Sequence, residues 1–194
     1  MRLIAGLVLL AAAGLAGCDR PADNGAPDVA TANMSMDNAA GNEAVPTQAT
    51  GEAAFGQFGP IRVGATIAEL TSEGLNVKGR DEPMPGSTCS YASFEGWPDV
   101  GAMLDGERVV RIDISGKQHE GPHGLRVGQS EAEALERLGN ARVEPHPYTG
   151  PEGHYLVAHD EGAPLGLIAE TDGKTVQSWR IGQWEQVQWV ESCF

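Results

Sequence analysis

The chain has 194 residues, 41% hydrophobic and 21% charged, with 13 Lys and Arg against 27 Asp and Glu and a formal net charge of −14. That balance excludes the basic footprint of a nucleic-acid-binding surface and any peripheral attraction to anionic lipid headgroups. It allows one modest core and permits a basic partner through electrostatic steering, with plain solubility as the simpler use of the charge.

The first element is a targeting segment. Arg2 supplies a positive start, and Leu3 to Ala16 is a run of apolar or small residues ending in Leu15-Ala16-Gly17-Cys18. A charged start, a short apolar run and a small-residue cleavage site describe a secretory signal. The run falls short of the roughly 20 residues needed to cross a bilayer core. Leu15-Ala16-Gly17-Cys18 resembles the bacterial lipobox, whose Cys receives a diacylglycerol and becomes the new N-terminus. The resemblance implies a signal peptide over 1–17, lipidation of Cys18, and attachment to a membrane through acyl chains facing the periplasm. More than one chain gives stable anchoring. Cleavage removes Arg2 and no acid, so −14 becomes −15. Asp19 resembles the enterobacterial signal for inner-membrane retention. That rule differs between bacterial groups, and inner and outer membrane both stay open.

Residues 18–54 follow as a linker. Past Cys18 they are rich in Ala, Asn, Asp, Gly, Pro and Thr, with no aromatic residue, Leu or Ile. Such a stretch buries too little apolar surface to offset its ordering entropy. A disordered tether is expected, with a root-mean-square reach of roughly 30–36 Å.

The remainder reads as α+β: two degenerate helix-plus-antiparallel-sheet modules in tandem, 55–118 and 119–194. Ile61-Arg62-Val63-Gly64-Ala65-Thr66-Ile67-Ala68-Glu69 aligns with Leu125-Arg126-Val127-Gly128-Gln129-Ser130-Glu131-Ala132-Glu133 at an offset of 64 residues. Thr66 with Glu69, and Ser130 with Glu133, each have capping-box spacing. Each is expected to start a short helix, with stops near Gly74 and Gly139. Asp105-Gly106 and Asp172-Gly173 are expected hairpin turns. They join Val100–Leu104 to Val109–Ile114 and Leu165–Thr171 to Val176–Ile181. Val110, Ile112 and Ile114 alternate with Arg111 and Asp113, as in a half-buried strand. Tyr155–His159 and Val187–Glu191 are expected as further strands.

The two segments Val63–Glu69 and Val127–Glu133 resemble the helix entries of SmpA/BamE outer-membrane assembly lipoproteins and of tandem β-lactamase-inhibitor-like proteins. The resemblance covers about two dozen residues. It implies architecture and brings no catalytic residue with it.

With Cys18 assigned to lipid, Cys89 and Cys193 remain. Outside the cytoplasm an even pair usually bridges, and a disulfide between them is expected. The segment Pro145–Tyr155 holds three Pro and two Gly and reads as a rigid loop. It presents His146, Tyr148, Glu152 and His154. These could bind a ligand or partner, together with Trp184, which sits in an expected turn. A metal completed by His119, His123 or His159 is the weaker reading, because the spacing fits no ligand pattern. No metal and no cofactor is expected. Trp189, alternating with Val187, is assigned to the core.

No Gly-x-Ser-x-Gly elbow is present, and no phosphate-binding loop. The expected function is therefore non-enzymatic: an envelope lipoprotein binding another envelope protein as scaffold, assembly factor or inhibitor. The alternative is a small-ligand or metal-binding domain using residues 145–155. A cell-envelope hydrolase comes last.

Overall fold

The computed structural model describes residues 51–193, with side chains from Ala54 onward. The signal peptide, Cys18 and the linker up to residue 50 lie outside the described residues. A 3-10 helix at Gly51–Gly56 carries the buried Ala54 and Phe55. Residues 51–54, assigned to the linker for their lack of aromatic, Leu and Ile residues, therefore belong to the folded part.

Eight antiparallel strands make one sheet. They are β3 (Val77–Arg80), β4 (Cys89–Phe94), β5 (Trp97–Asp105), β6 (Arg108–Ile114), β7 (Arg142–His146), β8 (Gly150–Ala158), β9 (Leu165–Thr171) and β10 (Val176–Gln183). Their order is β3-β4-β5-β6-β10-β9-β8-β7. A separate two-stranded ribbon pairs β1 (Gln57–Phe58) with β2 (Ile61–Arg62). The protein is thus a sheet-rich α+β structure. Residues 55–118 and 119–194 contribute four strands each, joined where β6 meets β10.

The helices α1 (Ile67–Ser72) and α2 (Glu131–Leu138) start at Thr66 and Ser130. At Thr66 the box is complete: Glu69 N–H donates to Thr66 Oγ1 at 3.2 Å, and Thr66 N–H donates to Glu69 Oε2 at 2.7 Å. At Ser130 only the first half forms, Glu133 N–H donating to Oγ at 3.2 Å. The expected reciprocal bond is missing because Glu133 turns one helical turn onward to Arg137, whose Nη2 lies 2.9 Å from Oε1.

Leading into the two helices, three backbone bonds recur in matched positions. Gly64 N–H donates to Val109 O and Gly128 N–H to Val176 O, at 2.7 and 2.8 Å. Ile67 N–H donates to Glu107 O and Glu131 N–H to Lys174 O, at 3.0 and 2.8 Å. Val109 N–H donates to Ala65 O and Val176 N–H to Gln129 O, at 2.9 and 3.0 Å.

Side chains alternate across a strand, and the sheet uses that alternation to build two faces. One face sends Ala92, Phe94, Leu104, Ile112, Ile114, Leu156, Leu167, Trp179 and Ile181 against Leu70 of α1 and Ala134 and Leu138 of α2. This single core spans both halves of the chain. The other face is smaller in apolar content: Tyr155, Val157 and Ile168 pack with Val187 and Trp184.

Val187–Glu191 is not a strand. Trp184–Val187 forms one turn of helix, α3, and the chain then runs through bends to Cys193. The alternation misleads here. Val187 is fully buried, whereas Trp189 is 39% exposed and outside the core. The cause is the covering role of the segment: it crosses the second face of the sheet instead of adding to its edge. Cys89 and Cys193 are joined, with Cα atoms 5.4 Å apart, within the span a disulfide requires. The bond ties the end of this strap to β4.

Candidate functional site

The face under the strap is polar where its alternation leads one to expect apolar packing or water. Arg111 of β6 is 3% exposed and Arg180 of β10 is 5% exposed. Burying charged side chains is costly unless each is paired and hydrogen-bonded. Arg111 meets that demand. Its Nε donates to Asp113 Oδ2 at 3.0 Å and its Nη2 to the Tyr91 hydroxyl at 2.5 Å, while Tyr91 donates to Asp113 at 3.0 Å. Its Nη1 holds two strap carbonyls, Gln186 O at 2.8 Å and Trp189 O at 2.9 Å. Burial, with Asp113 beside it, pushes the Tyr91 phenol up to about 12.

Arg180 is less completely served. Nε donates to Val187 O at 2.6 Å, and Nη1 donates to Glu170 Oε1. Ser178 also donates to Glu170, at 3.3 Å. Burial works against the guanidinium charge, but Glu170 and Tyr155 outweigh it and raise its pKa. The guanidinium carbon lies 5.2 Å from the Tyr155 ring centre. Nη2 of Arg180 and the Tyr155 hydroxyl are both buried without a hydrogen-bond partner of good geometry.

Beside this network lies a cavity of about 600 Å³. Arg111, Asp113, Glu170, Ser178 and Arg180 supply its sheet wall, Trp97 to Asp99 the start of β5, and Val190 and Ser192 the strap. The volume falls within the usual range for small-molecule sites.

The residues singled out between Pro145 and Tyr155 do not converge. The segment is a hairpin rather than a rigid loop, with β7 and β8 paired from Arg142–Val157 to His146–Gly150. Only one of its three prolines, Pro147, lies in the turn at Pro147 to Thr149; Pro145 sits in β7 and Pro151 in β8. His146 points to the strap side: its ring packs edge-on against Tyr155 at 4.7 Å, and Nε2 stands 3.8 Å from Glu170. His146 Nδ1 accepts the backbone N–H groups of Tyr148 and Thr149, at 3.1 and 3.3 Å, which fixes the turn. His154 lies on the opposite face of the hairpin, with Nδ1 2.9 Å from Glu131 of α2. Glu152 is exposed and shares no contact with either His. The metal donor set proposed from the sequence is therefore split between two faces, and no group of three or more His, Cys, Asp or Glu suited to a metal ion occurs among the described residues.

Tyr148, 66% exposed, donates from its hydroxyl to Glu191 of the strap at 2.6 Å. Trp184 does not sit in a turn but opens α3, stacked on His159 with ring centres 3.9 Å apart and planes 9° from parallel. His146, Tyr148 and Trp184 lie on the strap side, but none of them lines this cavity, and Arg111, Asp113, Glu170 and Arg180 are not singled out from the sequence as site residues. Arg111 and Asp113 read as the wet side of an amphipathic strand, and only the strap makes that side dry.

No family model matches the chain, and no curated protein matches it. Two solved structures are similar at low level. An extracellular protein containing an SCP domain from Bacillus anthracis shares 9% identity, covering 63% of this chain and 44% of its own, with a TM-score of 0.43. The protein YfeY of Escherichia coli shares 12% identity, covering 64% of this chain and 97% of its own, with a TM-score of 0.33. The chain thus spans less than half the length of the first. Neither likeness is close enough to carry a functional argument.

Proposed function

We propose that the chain is an envelope lipoprotein, lipidated at Cys18 and tethered by the residues from there to 50, whose folded part binds another envelope protein without catalysing a reaction. On this reading the folded part is a duplicated helix-plus-sheet unit of the kind seen in SmpA/BamE-like and tandem β-lactamase-inhibitor-like proteins. The matched backbone bonds before α1 and α2, and the four-plus-four strand order, support the duplication.

The observation that carries the binding role is the grouping of Tyr148, Trp189 and Val190. These are three of the five large hydrophobic side chains exposed among the described residues, and the Tyr148–Glu191 hydrogen bond brings the hairpin tip to the strap that bears the other two. Tyr and Trp are the residue types that most often dominate protein interfaces. Cells carrying a photo-crosslinking residue at position 148 or 189 are expected to give one discrete conjugate, lost when the other position is changed to Ala. Crosslinking that is equally strong from the exposed Met84, or insensitive to Tyr148→Ala and Trp189→Ala, refutes this surface. Cys18→Ser is expected to remove the protein from the membrane fraction; unchanged membrane retention of a cleaved chain refutes the anchor.

A second reading, a small-ligand domain, is favoured by the cavity beneath the strap. It moves the ligand site away from the 145–155 hairpin proposed from the sequence.

A further inference from the structure

The surface of Tyr148, Trp189 and Val190 is assembled by the end of the chain. Up to Trp189 the strap is gripped by the sheet, Arg111 holding the carbonyls of Gln186 and Trp189 and Arg180 that of Val187. Beyond Trp189 the hold changes. Val190 and Glu191 are exposed, Ser192 and Cys193 half-buried, and neither apolar cluster includes a described residue past Val187. Burial therefore contributes little here. The end is placed by the Tyr148–Glu191 hydrogen bond, by Ser192 beside the Tyr91 hydroxyl and by the Cys89–Cys193 bond. Of these three, the last is covalent.

That bond is within reach of solvent. Cys89 and Cys193 are both half-buried, and a cleft of about 460 Å³, lined by Ser87, Cys89 and the strap from Trp189 to Cys193, opens beside them. Exchange requires a thiolate to reach a sulfur, and exposed disulfides are more labile than buried ones. We propose that Cys89–Cys193 is a redox latch on the binding surface, opened by a dithiol and closed again by the corresponding disulfide. The proposal rests on the protein-binding reading of that surface and adds its regulation. One thiolate of the dithiol attacks Sγ of Cys193; the S–S bond breaks, and Cys89 leaves as a thiolate that takes up a proton. The second thiol, losing its proton, attacks the mixed disulfide and expels Cys193, which is protonated in turn. The dithiol ends as a disulfide, two electrons having passed to the protein, which ends with two thiols. A monothiol stalls at the first step, because the arginine–carbonyl bonds keep Cys89 and the strap close enough for Cys89 to expel it.

Opening frees the end without touching the sheet. Cys89 stays in β4 opposite Asp105, and Arg111 and Arg180 keep Asp113 and Glu170. What is lost is the covalent hold on Trp189, Val190 and Glu191, so the surface has to be reordered each time a partner binds. The test starts with the oxidised full chain treated with dithiothreitol without denaturant and then alkylated. Mass spectrometry is expected to find both Cys89 and Cys193 modified, circular dichroism to keep the sheet signal, and amide exchange to quicken in 184–193 and not in β5, β6 or β10. Oxidised dithiothreitol, given in place of the alkylating agent, is expected to restore slow exchange. In cells, a photo-crosslinking residue at position 189 is expected to give roughly five- to tenfold less conjugate per molecule of the Cys89→Ser/Cys193→Ser chain, the effect of re-ordering one or two side chains on binding.

Sulfurs that stay unalkylated in the folded protein overturn the latch. Exchange in 184–193 that reduction leaves unchanged also overturns it, since the arginines then suffice to hold the strap. Collapse of the circular dichroism on reduction overturns it too, by making the bond a brace for the whole fold. Equal conjugate from the bridged and unbridged chains, with exchange quickened, overturns the regulation and leaves the binding surface standing. No conjugate from the bridged chain overturns the surface, and the latch with it.

Discussion

All three tyrosines of the chain, Tyr91, Tyr148 and Tyr155, are held above the ordinary phenol value, each by its own surroundings. For Tyr91 the largest cause is burial, followed by the charge of Asp113. For Tyr148 it is the hydrogen bond to Glu191, and for Tyr155 burial again. A folded-state value raised above the unfolded one adds stability that is fully present at lower pH and lost as pH rises through the folded value. For Tyr91 that window runs from 10.0 up to about 12. Alkaline titration followed by near-ultraviolet absorbance is therefore expected to show no phenol ionising at its ordinary value in the folded protein, with Tyr91 last. In denaturant all three are expected to return to it. A folded-state tyrosine titrating at the denatured value would show that its partner is not in place. At this scale the sequence was legible where chemistry is local: Thr66 and Ser130 both cap their helices through the neighbouring backbone. It was not legible where the partner is distant, since nothing near Glu131 in the sequence announces His154 and Thr171, both of which bond its carboxylate.

Among the elements, the strap is the one whose removal changes most. Three of its carbonyls, Gln186, Val187 and Trp189, are gripped by buried arginines, and Val187 is sealed in the smaller apolar cluster. The disulfide closes a loop of 104 residues, for which the chain-entropy picture gives a contribution of up to ~4.7 kcal/mol. Cys193→Ser is expected to lower the denaturant midpoint and to speed amide exchange across 184–193, leaving β5, β6 and β10 protected. If exchange in the strap stays slow, the arginine–carbonyl bonds alone hold it. Strands with strict alternation and Asp-Gly turns, β5 with β6 and β9 with β10, were readable from their residues. The edge strands β3 and β7 were not: β3 is short and interrupted by a bulge between Val77 and Gly79, and β7 has Val143 as its main apolar residue, 49% exposed. The strap was misread because Val187 and Trp189 have a strand's spacing, while the force that shapes the segment is Arg111 and Arg180 reaching from strands far back in the chain.

At the level of the whole molecule, the join between β6 and β10 sets what can fold alone. Both strands place residues in the one core shared by the two halves. Cutting after Ser115 removes the β10 neighbour of β6 and leaves its core side chains exposed. A chain ending there is expected to lose its cooperative thermal transition, measured by circular dichroism; a sharp transition in that fragment would show the first half to be an independent domain. The α+β class and the repeated helix starts were visible in the sequence. The fusion of the strands into one sheet was not, because the pairing of β6 with β10 depends on register between residues far apart in sequence.

That register has one further effect. Across the join, Asp113 faces Arg180, Ile112 faces Ile181 and Ile114 faces Trp179. An exchange of β6 for β10 maps the Ile112–Ile181 and Ile114–Trp179 pairs onto each other and leaves Asp113 and Arg180 on the axis. The hydrophobic partners would thus accept like strand against like strand, but the axial pair would then be two aspartates or two arginines. Like charges directly opposite in a sheet are unfavourable. The join therefore selects its own complement, so a first half with a free β6 edge is discouraged from pairing with its twin on a neighbouring chain.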